Sequence, residues 1–227
     1  MNEAAIVLAV GRRGSGKTTA IRELAAKARR ALIVDPEKKW PLEAGDELIE
    51  GGAALLARLE AIDAGNQAVT FRIVYRDTEV ETVMATAGPG AALTYRNLTL
   101  VIDELAQFSH ASYVPPYLRK ILAFGRERRV NLVGTTREPQ EIHNLFFSQA
   151  DVVFFYNVQP GIGLDRIRRY YGKELAARLP ALEEYQRELY VPYDGGEKIL
   201  ALIGREGLDT SGRKGKRAPR SARRRGA

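Results

Sequence analysis

The chain has no cysteine and only two histidines in 227 residues. Without cysteine there is no disulfide framework, no thiol nucleophile and no Cys-rich zinc site, and the composition suits a reducing compartment. His110 and His143 stand alone, without metal-ligand spacing, and read as structural or exposed residues. No apolar run approaches the roughly 20 residues that span a bilayer. The N-terminal MNEAAIVLAV carries an acid and only a short apolar run, and reads as no signal peptide. No internal repeat is visible. Disorder throughout is excluded by an apolar content of 45%, enough for a sizeable core. At this length the expectation is one α/β domain, 1–204, with a tail, 205–227.

The formal net charge of +7 suggests a polyanionic partner. Its distribution sharpens that. Residues 205–227 hold nine Lys and Arg against two acids, so residues 1–204 hold 26 of each and are formally neutral. The tail has almost no apolar residues and cannot offset its ordering entropy by burial, so it is expected to be disordered. It reads as an arm that neutralises nucleic-acid phosphates, or as a solubilising or processing segment.

Apolar, β-rich runs recur at 5–10, 31–34, 69–74, 98–102, 130–134 and 152–158. Several are continuous rather than alternating, the pattern of strands covered on both faces. Between them, 18–30, 53–62, 116–128 and 174–187 carry apolar residues at helical spacing. Strands alternating with helices predict a wound, mainly parallel α/β sheet. Residues 189–191 and 198–203, around Asp194-Gly195-Gly196, predict a terminal β-hairpin.

Three signals carry chemistry. Directly after the first strand, Gly11-Arg12-Arg13-Gly14-Ser15-Gly16-Lys17-Thr18-Thr19 leads into a helix and matches G-x-x-x-x-G-K-[ST] in the strand–loop–helix context that pattern needs. The glycines let the backbone wrap an anion and aim N–H groups at phosphate oxygens, with the positive end of the helix facing the same anion. Lys17 is expected to reach the β- and γ-phosphates of ATP, and Thr18 to ligate Mg²⁺. Arg12 and Arg13 are less informative: phosphate, a neighbour and water are all open to them. The second signal is Leu98–Glu104, an apolar strand ending in two carboxylates. Asp103 is placed to hold Mg²⁺ through water, and Glu104 to orient and deprotonate an attacking water. An acidic helix start is the plainer reading of the same pair. The third is Val130–Arg137, where Thr135 and Thr136 end a strand and can sense the γ-phosphate or form ordinary turn contacts before Pro139.

Taken together, GRRGSGKT, IVDPE, LVIDE, FGRERRVNLVGTTREPQEI and QADVVFFYN resemble the FtsK–HerA class of DNA-pumping ATPases, a branch of the RecA-like, additional-strand P-loop enzymes with a catalytic glutamate. The compact length resembles the genome-packaging ATPases of icosahedral viruses with an internal membrane. The resemblance, which covers about residues 4–203, implies a three-layer fold with the Thr135 strand inserted between the Gly11 and Asp103 strands. It also implies a hexameric ring with ATP between subunits, double-stranded DNA and a procapsid as partners, and a location in the virion and the host cytoplasm. Lys17, Thr18, Asp103 and Glu104 match its catalytic core. Its polar sensor is usually Gln; Thr136 stands in that slot here, leaving Thr135 or Thr136 to act with a shorter arm. Of Arg126, Arg128, Arg129 and Arg137, the resemblance favours Arg128 or Arg129 as the finger given to a neighbouring subunit's ATP, a role worth about 10³–10⁵ in rate. A solvated helix end is the plainer reading of Arg126–Arg129.

Other segments stay open. Lys38, Lys39 and Trp40 lie near the nucleotide and substrate-loading surface in related proteins, and also fit a capped helix start. The mixture Arg166, Arg168, Arg169, Tyr170, Tyr171, Lys173 suits a nucleic-acid backbone with stacking, a subunit interface, or a half-buried amphipathic helix. A small P-loop kinase using 166–173 as a lid is the main alternative enzyme, although Glu104 beside Asp103 favours hydrolysis and the loop lacks the Pro-Gly pattern of nucleoside-monophosphate kinases. A nucleotide-dependent assembly or secretion ATPase is another. The absence of Asn-Lys-x-Asp argues against a Ras-like GTPase, and the absence of Leu-Ser-Gly-Gly-Gln removes a transporter-type ATPase.

Overall fold

A computed structural model of the chain describes residues 4–63, 70–80 and 97–191. The continuous apolar runs become the strands of one sheet: β1 (Ile6–Val10), β2 (Arg30–Val34), β3 (Glu47–Ile49), β4 (Phe71–Tyr75), β5 (Leu98–Ile102), β6 (Val130–Thr136), β7 (Val152–Phe155) and β8 (Glu188–Tyr190). Their order is β3-β4-β2-β5-β6-β1-β7-β8, parallel throughout except for β8, which runs antiparallel to β7. β6 lies between β1 and β5, as expected, with Leu8 opposite Gly134 and Leu100 opposite Leu132.

Both faces of the sheet are buried, which is why the strands read as unbroken apolar runs. In β1, β2, β5 and β6 the even-numbered residues, such as Leu8, Leu32, Leu100 and Leu132, point to one face, joined there by Ile73 of β4 and Phe155 of β7. There they meet α2 (Gly52–Asp63), α3 (Pro116–Arg128), α4 (Asn144–Gln149), α5 (Ile162–Tyr171) and α6 (Lys173–Arg178). The odd-numbered residues of those four strands, among them Val7, Ala9, Ile33, Val101 and Val133, point to the other face with Val74 and Phe154 and pack on Ala20, Ile21 and Ala25 of α1 (Lys17–Lys27) and on Trp40. Each fully buried Leu, Ile or Val contributes roughly 1.5–3 kcal/mol. A one-residue slip of any strand would exchange the two sets, so the register is fixed by packing.

Several boundaries differ from the sequence expectation. The first helix stops at Lys27 rather than residue 30, because Ala28 turns extended and Arg30 begins β2 opposite Phe71, its guanidinium 5.2 Å over that ring. The helix expected over 174–187 ends at Arg178: Pro180 supplies no N–H and passes the chain into a 3₁₀ turn over Leu179–Ala181. The last strand of the parallel set ends at Phe155 instead of 158, since the polar groups of Asn157 turn away to other loops. β3 and α4, three and six residues long, had no sequence expectation. Only the first strand of the expected terminal hairpin is seen, as β8; residues 194–203 and the basic tail lie outside the described residues.

Candidate functional site

The carboxyl ends of β1, β6 and β5 lie side by side, and the chemistry-bearing residues gather there. The loop 11–16 leaves β1 and runs into α1, whose first residue is Lys17. Gly11 sits at φ 153° with its Cα so close to the next strand that a Cβ would fall 2.6 Å from the Tyr156 Cβ, so no side chain fits. Its amide donates to the Thr136 carbonyl at 3.1 Å, and the Arg12 amide donates to the Asn157 carbonyl at 2.8 Å. These two bonds hang the loop across β6, β1 and the end of β7.

Gly16 caps α1 and offers no side chain to its first amides. The unsatisfied N–H groups around Lys17, Thr18 and Thr19 and the positive end of the helix therefore face the hollow of the loop. Ser15 adds a buried hydroxyl without a hydrogen-bond partner. Lys17 is buried, and its Nζ donates to the carbonyls of Gly11 at 2.6 Å and Arg12 at 2.8 Å. Burial lowers its pKa to about 8, against the upward pull of Glu104 and Asp103. A cation this costly to bury, amid vacant donors, fits a polyphosphate oxygen cluster. Arg12 and Arg13 are exposed at the loop's edge.

Facing the loop, Thr18 Oγ1 donates to the Asp103 carboxylate at 3.3 and 3.5 Å. A hydroxyl and a carboxylate that share this gap are hard oxygen donors of the kind Mg²⁺ takes when phosphate and water complete its shell. Among the described residues no cluster of three or more His, Cys, Asp or Glu could hold a metal by itself. Burial raises the pKa of Asp103, with the Thr135 and Thr18 hydroxyls opposing. Glu104 is buried in the left-handed region at φ 74°, a strained position of the kind found at functional sites. Burial raises its pKa also, and Arg137 opposes.

Of the two threonines at the tip of β6, Thr135 belongs to this cluster. Its Oγ1 donates to Asp103 Oδ1 at 2.8 Å and accepts the Glu104 amide at 2.8 Å. Thr136 is on the opposite face and its hydroxyl donates to the Glu138 carbonyl at 3.1 Å. Strand alternation thus gives the central position to the first hydroxyl.

The arginines separate in the same way. Arg137 Nε lies 2.8 Å from Glu104 Oε2, and its Nη2 donates to both Glu37 oxygens at 2.5 and 2.6 Å. Arg128 and Arg129 are at the far end of β6, about 20 Å along the strand from Thr135 at 3.3 Å per residue. There Arg129 is the left-handed cap of α3 (φ 56°) and the Arg128 carbonyl accepts the Asn97 amide. Arg126 pairs with the buried carboxylate of Asp151. Within one chain, then, Arg137 alone of the four reaches the acidic pair.

The remaining candidates are mostly structural. Asp35, fully buried, accepts the amides of Lys39 and Trp40 at 2.9 Å each and fixes that turn, which leads to no helix. Arg166 donates to the carbonyls of Pro139 and Ile142, and the Tyr171 hydroxyl to Phe147, so half of the 166–173 segment is spent on packing. Arg168 pairs with Asp165 in the same helix, while Arg169 and Lys173 are exposed. His143 Nδ1 caps α4 by accepting the Leu145 amide at 3.0 Å, and His110 stacks on Tyr113. Sequence reasoning missed Glu37, the pairing of Arg137 with Glu104, and Asn157, whose side-chain amide holds the loop 180–182 while its carbonyl holds the phosphate loop. Only strand-tip placement hinted at Arg137.

No family model matches the sequence, and no curated protein matches it. The structure is similar to that of the genome packaging NTPase B204 from Sulfolobus turreted icosahedral virus 2. Against its complex with ATP-gammaS the TM-score is 0.67 at 21% identity, covering 84% of this chain and 93% of that one. Against the complex with AMPPCP it is 0.66 at 21% identity, covering 82% and 92%. B204 described as the DNA-packaging ATPase from Sulfolobus Turreted Icosahedral Virus gives 0.60 at 22%, covering 84% and 94%. The eight-stranded, mainly parallel α/β fold built around the 11–19 loop is therefore the fold of the B204 packaging NTPases.

Proposed function

We propose that this chain is an ATP-hydrolysing motor of the FtsK–HerA type that translocates double-stranded DNA and packages a viral genome into a procapsid. The observation that carries the reading is the convergence of Lys17, Thr18, Asp103 and Glu104 at the ends of β1 and β5, with Thr18 within 3.5 Å of Asp103, on a fold shared with packaging NTPases.

In this reading the triphosphate lies on the loop, with its oxygens on the amides of Gly14 to Thr19 and on Lys17 Nζ. The carbonyls of Gly11 and Arg12 hold that ammonium in place beforehand. Thr18 and Asp103 hold Mg²⁺, which supplies positive charge against the phosphates. The oxygen of a water attacks the γ-phosphorus, the bond to the β–γ bridging oxygen breaks, and the proton of the water passes to the Glu104 carboxylate. Burial makes that carboxylate a better base than an exposed one. Thr135 fixes the Glu104 amide and the Asp103 carboxylate together, so it takes the sensing role for which Thr136 was the sequence candidate. Arg137 holds Glu104 until another anion draws it away.

Arg128 and Arg129, remote from their own chain's site, serve as fingers only toward a neighbouring subunit, in keeping with a hexameric ring. The basic 205–227 arm recruits DNA, and the working sites are the virion and the host cytoplasm. The test is the ATPase rate with and without duplex DNA, on the full chain and on a chain ending at Gly204. Stimulation that falls steeply with salt supports translocation. Failure of DNA to stimulate either chain refutes it. Glu104→Gln should bind ATP without hydrolysing it; full activity in that variant would remove the base assignment.

A further inference from the structure

Tyr185 is an anomaly of the surface. It is 65% exposed, and its backbone is left-handed at φ 65°, a conformation that bulky residues adopt at a cost of roughly 1–2 kcal/mol. Packing does not require it, since most of the ring faces solvent. One edge of the ring nevertheless rests on the phosphate loop: its Cδ1 lies 2.7 Å from where a Cβ on Gly16 would fall. Glycine at 16 is what allows that approach, and it places the ring where the loop hands over to α1.

The backbone beneath the ring is tied down. The turn that carries it is closed by the Gln186 amide donating to the Glu183 carbonyl at 3.2 Å and the Glu183 amide donating to Gln186 Oε1 at 3.0 Å. The segment before it is fixed by Asn157, a buried amide whose Nδ2 donates to the carbonyls of Pro180 at 3.0 Å and Leu182 at 2.7 Å. Asn157 also accepts the Arg12 amide on its own carbonyl. Through its backbone carbonyl and its side-chain amide, this one residue thus links the phosphate loop to the segment that leads into the Tyr185 turn. After the turn, the Arg187 guanidinium lies 5.1 Å over Phe154.

We infer that the exposed face of Tyr185 is the platform on which the base of the bound nucleotide stacks. The inference rests on the reading that the 11–19 loop holds the phosphates of that nucleotide. A flat π-face recognises bases by area, so purine nucleotides are the preferred ligands, ATP and GTP alike, above pyrimidine nucleotides. Stacking on a ring held in place costs little ordering on binding.

The test uses the full chain and calorimetric titration with two probes, ATPγS and inorganic tripolyphosphate, which has no base. Tyr185→Ala should weaken ATPγS about 5- to 150-fold, the range of one stacked base, and leave tripolyphosphate within about two-fold. Tyr185→Phe should bind both like the parent. Tyr185→Trp gives the chain an exposed indole in addition to its buried Trp40, and its fluorescence should be quenched by ATPγS but not by tripolyphosphate. Equal loss of both probes in Tyr185→Ala would mean that the ring only supports the loop, and no loss in either would remove it from the site; both results overturn the inference. A parent protein that binds neither probe overturns the phosphate-loop reading, and this inference with it.

Discussion

Replacing Thr135 by Val removes one hydroxyl and nothing else of its volume, yet that hydroxyl has two partners. It donates to the Asp103 carboxylate and accepts the Glu104 amide, each at 2.8 Å, at a position 1% exposed. A hydrogen bond to a charged group contributes roughly 1.5–3 kcal/mol, and a buried N–H left without a partner costs roughly 1–3 kcal/mol. Both bonds belong to one hydroxyl and do not add fully, so the expected loss is about 3–4 kcal/mol. For a chain of this size that lowers Tm by about 6–15 °C. Thr136→Val is the control: it is equally buried, but its hydroxyl donates only to the neutral Glu138 carbonyl and serves no amide or carboxylate, so the loss is about 1 kcal/mol. Differential scanning calorimetry of both variants at neutral pH, without nucleotide, measures the contrast. Steady-state hydrolysis should follow it, with Thr135→Val losing kcat far more than it raises KM, because the Glu104 amide has lost its anchor. Equal Tm shifts in the two variants, or a Thr135→Val shift below about 3 °C, would refute the reasoning.

Arg137→Ala takes the guanidinium from a buried carboxylate, so the Glu104 pKa rises further and the ascending limb of the pH–rate profile moves to higher pH; an unmoved limb would show that Glu104 is not the titrating base. Lys17, at a pKa of about 8 in the free protein, is mostly neutral at pH 8.5 and recovers its proton when a polyanion binds. Nucleotide binding at that pH should therefore take up roughly 0.7 proton, read from calorimetry in buffers of different ionisation enthalpy, and Lys17→Met should abolish the uptake. Because burial raises the pKa of Asp103, its contribution to stability is complete below the unfolded pKa and is lost as pH rises through the folded one. Asp103→Asn should accordingly raise Tm at neutral pH, with the gain shrinking toward pH 4; a gain that persists there would contradict the burial argument.

What was legible in the sequence was local. The glycine spacing of 11–16 and the strand ending in Asp103-Glu104 are chemical patterns contained within a few residues. The doubly covered strands announce themselves by apolar runs of five, from which a parallel sheet follows, while the place of β6 came from the family resemblance. The illegible part depends on distance. Glu37, Glu104 and Arg137 meet only because β2, β5 and β6 end at the same edge. Asn157 reads as a polar residue within the strand expected over 152–158 until its amide is seen holding Pro180 and Leu182. Thr135 and Thr136 differ only by the face onto which strand alternation turns them. The overlong helix at 174–187 had the opposite cause: Leu175, Ala176 and Leu179 do lie at helical spacing and are buried, but Pro180 ends the run among them.

β6 is hydrogen-bonded to β1 on one side and to β5 on the other, and it is walled in by packed side chains above and below. A strand bonded on both edges and walled in on both faces resists stretching and bending, so it acts as a tie-rod. One end of the rod carries the hydroxyl joined to Asp103 and Glu104; the other begins beside Arg128 and Arg129, where α3 turns into the sheet. A shift of the tip along the strand axis is therefore passed along the strand toward the opposite rim.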